Sequence, residues 1–176
     1  VMTEILINVY NFFGAILPFC FAIAIIGFIL LLVSKSIDNF GSKTEKIKLF
    51  GIAFFVQIFM IGIFMIGLQS SIKKNIKKEI LLILKDSKNT VTQSDYTFGN
   101  FSSTELKTEL QKVKNIEPHH SHPEKEMKLN IQSKNKKFHI IISQDSNNNR
   151  EFWIFTDLYH IDSELEIGRI NSTLFE

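Results

Sequence analysis

Two stretches of the chain, 12–33 and 49–72, contain no charged residue; elsewhere polar and apolar positions alternate over much shorter distances. The runs are 22 and 24 residues long, and a helix needs roughly 20 apolar residues to cross a hydrocarbon core of about 30 Å. Backbone polar groups in lipid must be satisfied within the segment, so a spanning run is helical. The pattern therefore predicts an N-terminal tail at 1–11, transmembrane helix 1 at 12–33, a polar linker at 34–48 and transmembrane helix 2 at 49–72. A linker this short, with Asn39 and Gly41 as turn formers, makes the helices antiparallel neighbours in a transmembrane hairpin. Pro18 is expected to kink the first. Cys20, Ala24 and the Gly62/Gly67 side are the small residues expected to carry the packing. Gln57, the one amide well inside either run, is expected to make a transmembrane polar contact. The first eleven residues hold no Lys or Arg, unlike a cleaved signal peptide.

Past the second run the period changes. Ile72, Ile76, Ile80 and Ile83 share one helical face with lysines mostly elsewhere, giving a basic amphipathic juxtamembrane helix at 73–87. Such a segment suits an anionic membrane surface, or packs on its own domain. Residues 88–176 read as a soluble α+β domain. Thr90–Phe98 is a short strand, and Ser102 with Glu105 matches a capping box before a helix to about Asn115. Residues 116–125 are a loop with two prolines. Met127, Leu129 and Ile131 alternate with polar residues, as do Phe138, Ile140 and Ile142. Turns at 134–136 and 146–149 separate these strands from a third at 152–155. The expected architecture is a membrane protein: a two-helix transmembrane hairpin plus a small α+β domain, its three- or four-stranded antiparallel sheet covered by one helix.

Composition alone points elsewhere, since 45% hydrophobic, 22% charged and a net charge of +2 resemble a soluble domain. The uneven distribution decides against that. One cysteine excludes an intrachain disulfide and a cysteine-based metal cluster. Six lysines follow the second run (73, 74, 77, 78, 85 and 88) and four lie in the linker (35, 43, 46 and 48). The positive-inside bias then places the C-terminal domain on the cytoplasmic side of a plasma (inner) membrane.

Three groups of residues carry candidate chemistry. His119, His120 and His122 lie within four residues, and His120 with His122 is the pair best placed to share a metal ion, with Glu117 or Glu124 as a further ligand. Asp157, His160, Asp162, Ser163, Glu164 and Glu166 bring acid, base and hydroxyl close together, but no nucleophile-elbow or EF-hand spacing accompanies them. Arg150, Trp153, Tyr159 and Arg169, with His139, are candidates for an anionic-ligand pocket. Gly99 and Gly168 are the two glycines after residue 67, so no glycine-rich phosphate loop exists, and two arginines beside acids argue against nucleic acid. The expected function is a membrane-anchored, non-catalytic binding or sensing module. Its expected partners are the lipid bilayer, a protein or small anionic ligand, and further copies of the chain, with no cofactor. The alternatives are a ligand-gated, membrane-disrupting effector of the kind used in prokaryotic defence, and a metal-dependent hydrolase built on the histidine loop.

Overall fold

The computed structural model describes residues 2–36, 42–115, 120–134, 136–159 and 165–175. The linker centre with Asn39 and Gly41, together with Glu117, His119, His160, Asp162, Ser163 and Glu164, lies outside the described residues. The chain forms two compact units, Val1–Ile72 and Lys73–Glu176.

The first unit pairs helix α1 (Met2–Ser36) with the larger part of helix α2 (Ser42–Lys85). α1 begins ten residues before the apolar run: 2–11 contains no helix breaker, and Glu4 in the first turn complements the helix dipole. The expected tail is thus helical. The helix continues through Pro18; a proline costs one backbone bond, which apolar helices tolerate. At 1.5 Å per residue, the 35-residue α1 is about 50 Å long.

The two helices run antiparallel, with Phe13 against Phe64 at 5.0 Å and Phe28 against Phe55 at 5.9 Å between ring centroids. The two backbones approach closely at Gly27 and Gly51. A Cβ added at Gly27 would lie 2.7 Å from the Phe54 Cβ and the Phe55 nitrogen, and one added at Gly51 would lie 2.9 Å from the Gly27 carbonyl oxygen. Ala24 is buried on the same face. Gly62 and Gly67 meet nothing within 4 Å, so the packing is not on the expected Gly62/Gly67 side. Gly67 is turned about 160° from Gly51 around α2, whereas Gly62 is nearly in phase with Gly51 but borders an apolar cleft between the helices, with Ala24 and Phe21, instead of meeting the α1 backbone. The remaining helical surface faces outward. The most apolar 18-residue windows are only 11% and 6% buried, so both helices are long and apolar enough to cross a membrane and neither resembles the core helix of a soluble protein.

The second unit contains the end of α2, a short helix α3 (Ser103–Leu110) and five strands: β1 (Thr90–Gln93), β2 (Pro123–Gln132), β3 (Lys137–Asp145), β4 (Glu151–Thr156) and β5 (Leu165–Asn171). The strands form one antiparallel sheet in the order β1-β2-β3-β4-β5. The sheet has five strands where three or four were expected. β5 escapes a reading by period two because Glu166, Gly168 and Arg169 break its alternation. Its register shifts opposite Ile154 and Phe155, and Gly168 adopts φ +146°, a conformation open to glycine.

The core lies on one face of the sheet. Met127, Leu129, Ile131, Ile140, Ile142, Phe152 and Ile154 are all buried there. Against it lie Leu106 and Leu110 of α3 and Ile76, Ile80 and Leu84 of α2. The apolar stripe expected on a membrane surface is therefore covered by protein, and Leu84 rather than Ile83 completes it. Ser102 and Glu105 form the capping box at the start of α3. The helix stops at Leu110 rather than Asn115 because Lys114 pairs with Arg169 through two 2.9 Å backbone hydrogen bonds at the sheet edge.

Candidate recognition face of the sheet

The pleat turns every second residue of β2 to β5 away from the core. Register aligns Ser143, Trp153 and Arg169 in one row, and Lys128, Ile141, Phe155 and Glu166 in the next. Ile141, Trp153 and Phe155 are half-buried, and the Trp153 and Phe155 rings stack 8° from parallel with centroids 6.2 Å apart. The Arg169 guanidinium lies 3.6 Å from the Trp153 ring centre and donates to Glu151 at 2.8 Å. Arg169 is 3% exposed and Glu151 is 6% exposed, so this is a buried ion pair roofed by an indole.

At one end of the face, Asp145 is buried and accepts from the Ser121 hydroxyl (2.6 Å) and the Trp153 indole N–H (2.8 Å). It also accepts from the backbone N–H groups of Asn147 and Asn148. Burial pushes the Asp145 carboxyl up, but these four donors outweigh it and hold the group down, from 3.8 to about 2. A depressed folded pKa stabilises the fold above the unfolded value, and that stability is lost as pH falls through the folded value. The shift corresponds to about 2 kcal/mol, disappearing between about pH 4 and pH 2. Asp145→Asn is expected to remove this step from acid unfolding curves of Trp153 fluorescence; an unchanged acid limb would show that the carboxylate is not the acid-labile group.

At the other end, His139 Nδ1 lies 2.6 Å from Asp157 Oδ2, while Asp157 Oδ1 accepts the His139 backbone N–H at 2.6 Å. The carboxylate orients the imidazole with its Nε2 turned away, the arrangement of an oriented base or a ligand-contacting histidine. Sequence reading placed His139 beside the arginines but missed this pair, because Asp157 follows β4 and only strand register brings the two together.

A third cluster joins three elements. Lys136 donates to Glu79 (2.6 Å) and to the Tyr159 hydroxyl (2.8 Å), Tyr159 donates to Glu79 (2.8 Å), and the Lys136 ammonium sits 4.6 Å over the Tyr159 ring. Burial pushes the Glu79 carboxyl up, but the two donors outweigh it and lower its pKa. Burial raises the Tyr159 pKa, and the Glu79 charge adds to it. The cluster pins the β2–β3 turn and the segment after β4 to α2.

Of the four residues expected to line an anionic pocket, Trp153 and Arg169 come together, with the arginine's charge already met by Glu151. Arg150 is exposed in the β3–β4 connection, and Tyr159 belongs to the Glu79 cluster. His120 and His122 are both exposed. His122 Nε2 lies 3.7 Å from Glu124, and the loop is tied to the β3–β4 turn by the Ser146 N–H to His122 carbonyl bond at 2.9 Å. Among the described residues no three His, Cys, Asp or Glu side chains are grouped to hold a metal ion. Gln57 donates to the Cys20 carbonyl at 3.3 Å, an interhelical polar contact in the first unit.

The chain matches no known protein family, curated protein or solved structure.

Proposed function

We propose that this chain is a membrane-anchored binding or sensing module. In this reading the α1/α2 hairpin lies in the bilayer, and the sheet unit recognises a protein or small anionic ligand on the cytoplasmic side of the inner membrane. The observation that carries the reading is the outward orientation of the apolar side chains. Phe12, Phe19, Phe21, Phe59, Ile63 and Ile66 are all exposed, which water would penalise and hydrocarbon would not. Recognition by the sheet is supported by its half-buried aromatic centre, rimmed by Lys128, Glu126 and Glu166, since specific interfaces combine an aromatic core with a polar rim. Cytoplasmic placement is supported by the six lysines that follow the second apolar run.

Alkaline carbonate washing of membranes, followed by protease treatment of sealed right-side-out cells and inverted vesicles, tests both parts. The chain should stay in the pellet and lose its C-terminal unit only in inverted vesicles. Release into the supernatant would reject anchoring, and cleavage in intact cells would reject the orientation.

A further inference from the structure

Beyond its apolar run, α2 is polarised in a way that the sequence period alone does not show. Ile76, Ile80 and Leu84 are buried, whereas Lys74, Lys78, Leu82 and Lys85 form the opposite, exposed stripe. The four lysines nearest the apolar run divide into two kinds. Lys73 faces Glu166 at 3.7 Å and Lys77 donates to Asn115 at 2.8 Å, so both are engaged by their own unit. Lys74 and Lys78 have no hydrogen-bond or ion-pair partner among the described residues. The nearby acid, Glu79, is held by Lys136 and Tyr159 and is not available to them. The fold therefore leaves two neighbouring positive charges unneutralised on the exposed side of the helix.

Their depth identifies what neutralises them. At 1.5 Å per residue, Lys74 lies about 3 Å and Lys78 about 9 Å along the axis past Ile72, while Lys85 lies about 20 Å past it. The interfacial layer of a bilayer is roughly 5–7 Å thick on each side. Lysine stems bend toward phosphates from just outside that layer. Lys74 and Lys78 fall within reach, and Lys85 does not. We infer that Lys74 and Lys78 form a collar that binds anionic phospholipid headgroups where α2 leaves the bilayer. This rests on the membrane-anchored reading and adds to it a lipid preference. The partner is an anionic phosphodiester headgroup because the site offers compact, unpaired ammonium groups and no oriented donors for a larger ligand. Each such lysine favours an anionic surface by a factor of about five.

The test uses the full chain reconstituted in phosphatidylcholine vesicles containing spin-labelled phosphatidylglycerol or spin-labelled phosphatidylcholine. The measured quantity is the relative association constant of the motionally restricted lipid. Phosphatidylglycerol should be preferred several-fold. The preference should fall partway toward unity with either Lys74→Gln or Lys78→Gln, reach about unity with both changes together, collapse toward unity at high salt, and survive Lys85→Gln. Equal association of the two lipids, or a preference unaffected by the Lys74 and Lys78 changes, overturns the inference. An equal loss with Lys85→Gln also overturns it, because overall charge would then be the cause. A chain that restricts no lipid at all would instead reject the anchored reading, so the two failures are distinguishable. Circular dichroism of each variant should match the parent, since these side chains are exposed and make no hydrogen bond or ion pair among the described residues.

Discussion

Arg169→Ala is expected to destabilise the sheet unit by about 3–5 kcal/mol, the cost of breaking a buried ion pair from one side. Truncation removes the guanidinium 2.8 Å from Glu151 while leaving that carboxylate buried, and it also strips the cation from the Trp153 ring. The double change Arg169→Met with Glu151→Leu should recover most of the loss, because two apolar side chains of similar size avoid desolvating either charge. Urea unfolding of the full chain in detergent, followed by far-UV circular dichroism and by the single tryptophan, reads both outcomes. If Arg169→Ala shifts stability by less than about 1 kcal/mol, the pair behaves like a surface salt bridge and the burial argument fails.

Gly27→Leu is the second large effect, and it acts in the other unit. The missing side chain at Gly27 is what lets α1 approach the α2 backbone, since a Cβ there would fall 2.7 Å from the Phe55 nitrogen. A rigid backbone cannot yield as a flexible side chain would, so the helices must separate. Overpacking of this kind costs about 1–3 kcal/mol and moves the whole crossing. Gln57 lies beside Cys20, so cross-linking of a Gln57→Cys variant to the native Cys20 measures the approach directly. The yield should fall sharply when Gly27→Leu is added. It should hold with Gly62→Ala or Gly67→Ala, where a methyl group meets open space and helix propensity improves by up to about 1 kcal/mol. Equal losses at Gly27 and Gly62 would mean that the hairpin crosses elsewhere.

The two long helices were legible because a run of more than 20 residues without charge has few structural solutions. The capping box at Ser102 and Glu105 was legible because it is local. So were strands β2 and β3, whose inward residues alternate strictly from Met127 to Ile131 and from Phe138 to Ile142. What escaped depends on partners distant in sequence. β5 is a strand because β4 offers it a ladder and Arg169 finds Glu151, not because 165–171 alternates. α3 ends early because Lys114 is claimed by the same strand.

The candidate site divides along the same line. Sequence singled out Trp153 and Arg169, but not that one roofs the other over a buried acid. It also named Tyr159, whose partners Glu79 and Lys136 lie 80 and 23 residues away. By itself, the sequence determined the two apolar helices, the antiparallel strand pattern after them and the uneven charge along the chain, since each follows from local period and composition. Only the tertiary structure decided the glycine pair at the hairpin crossing, the fifth strand and which lysines of α2 remain unpaired. Each of those depends on which surfaces meet, and a one-dimensional pattern records the period of a face without recording what lies against it.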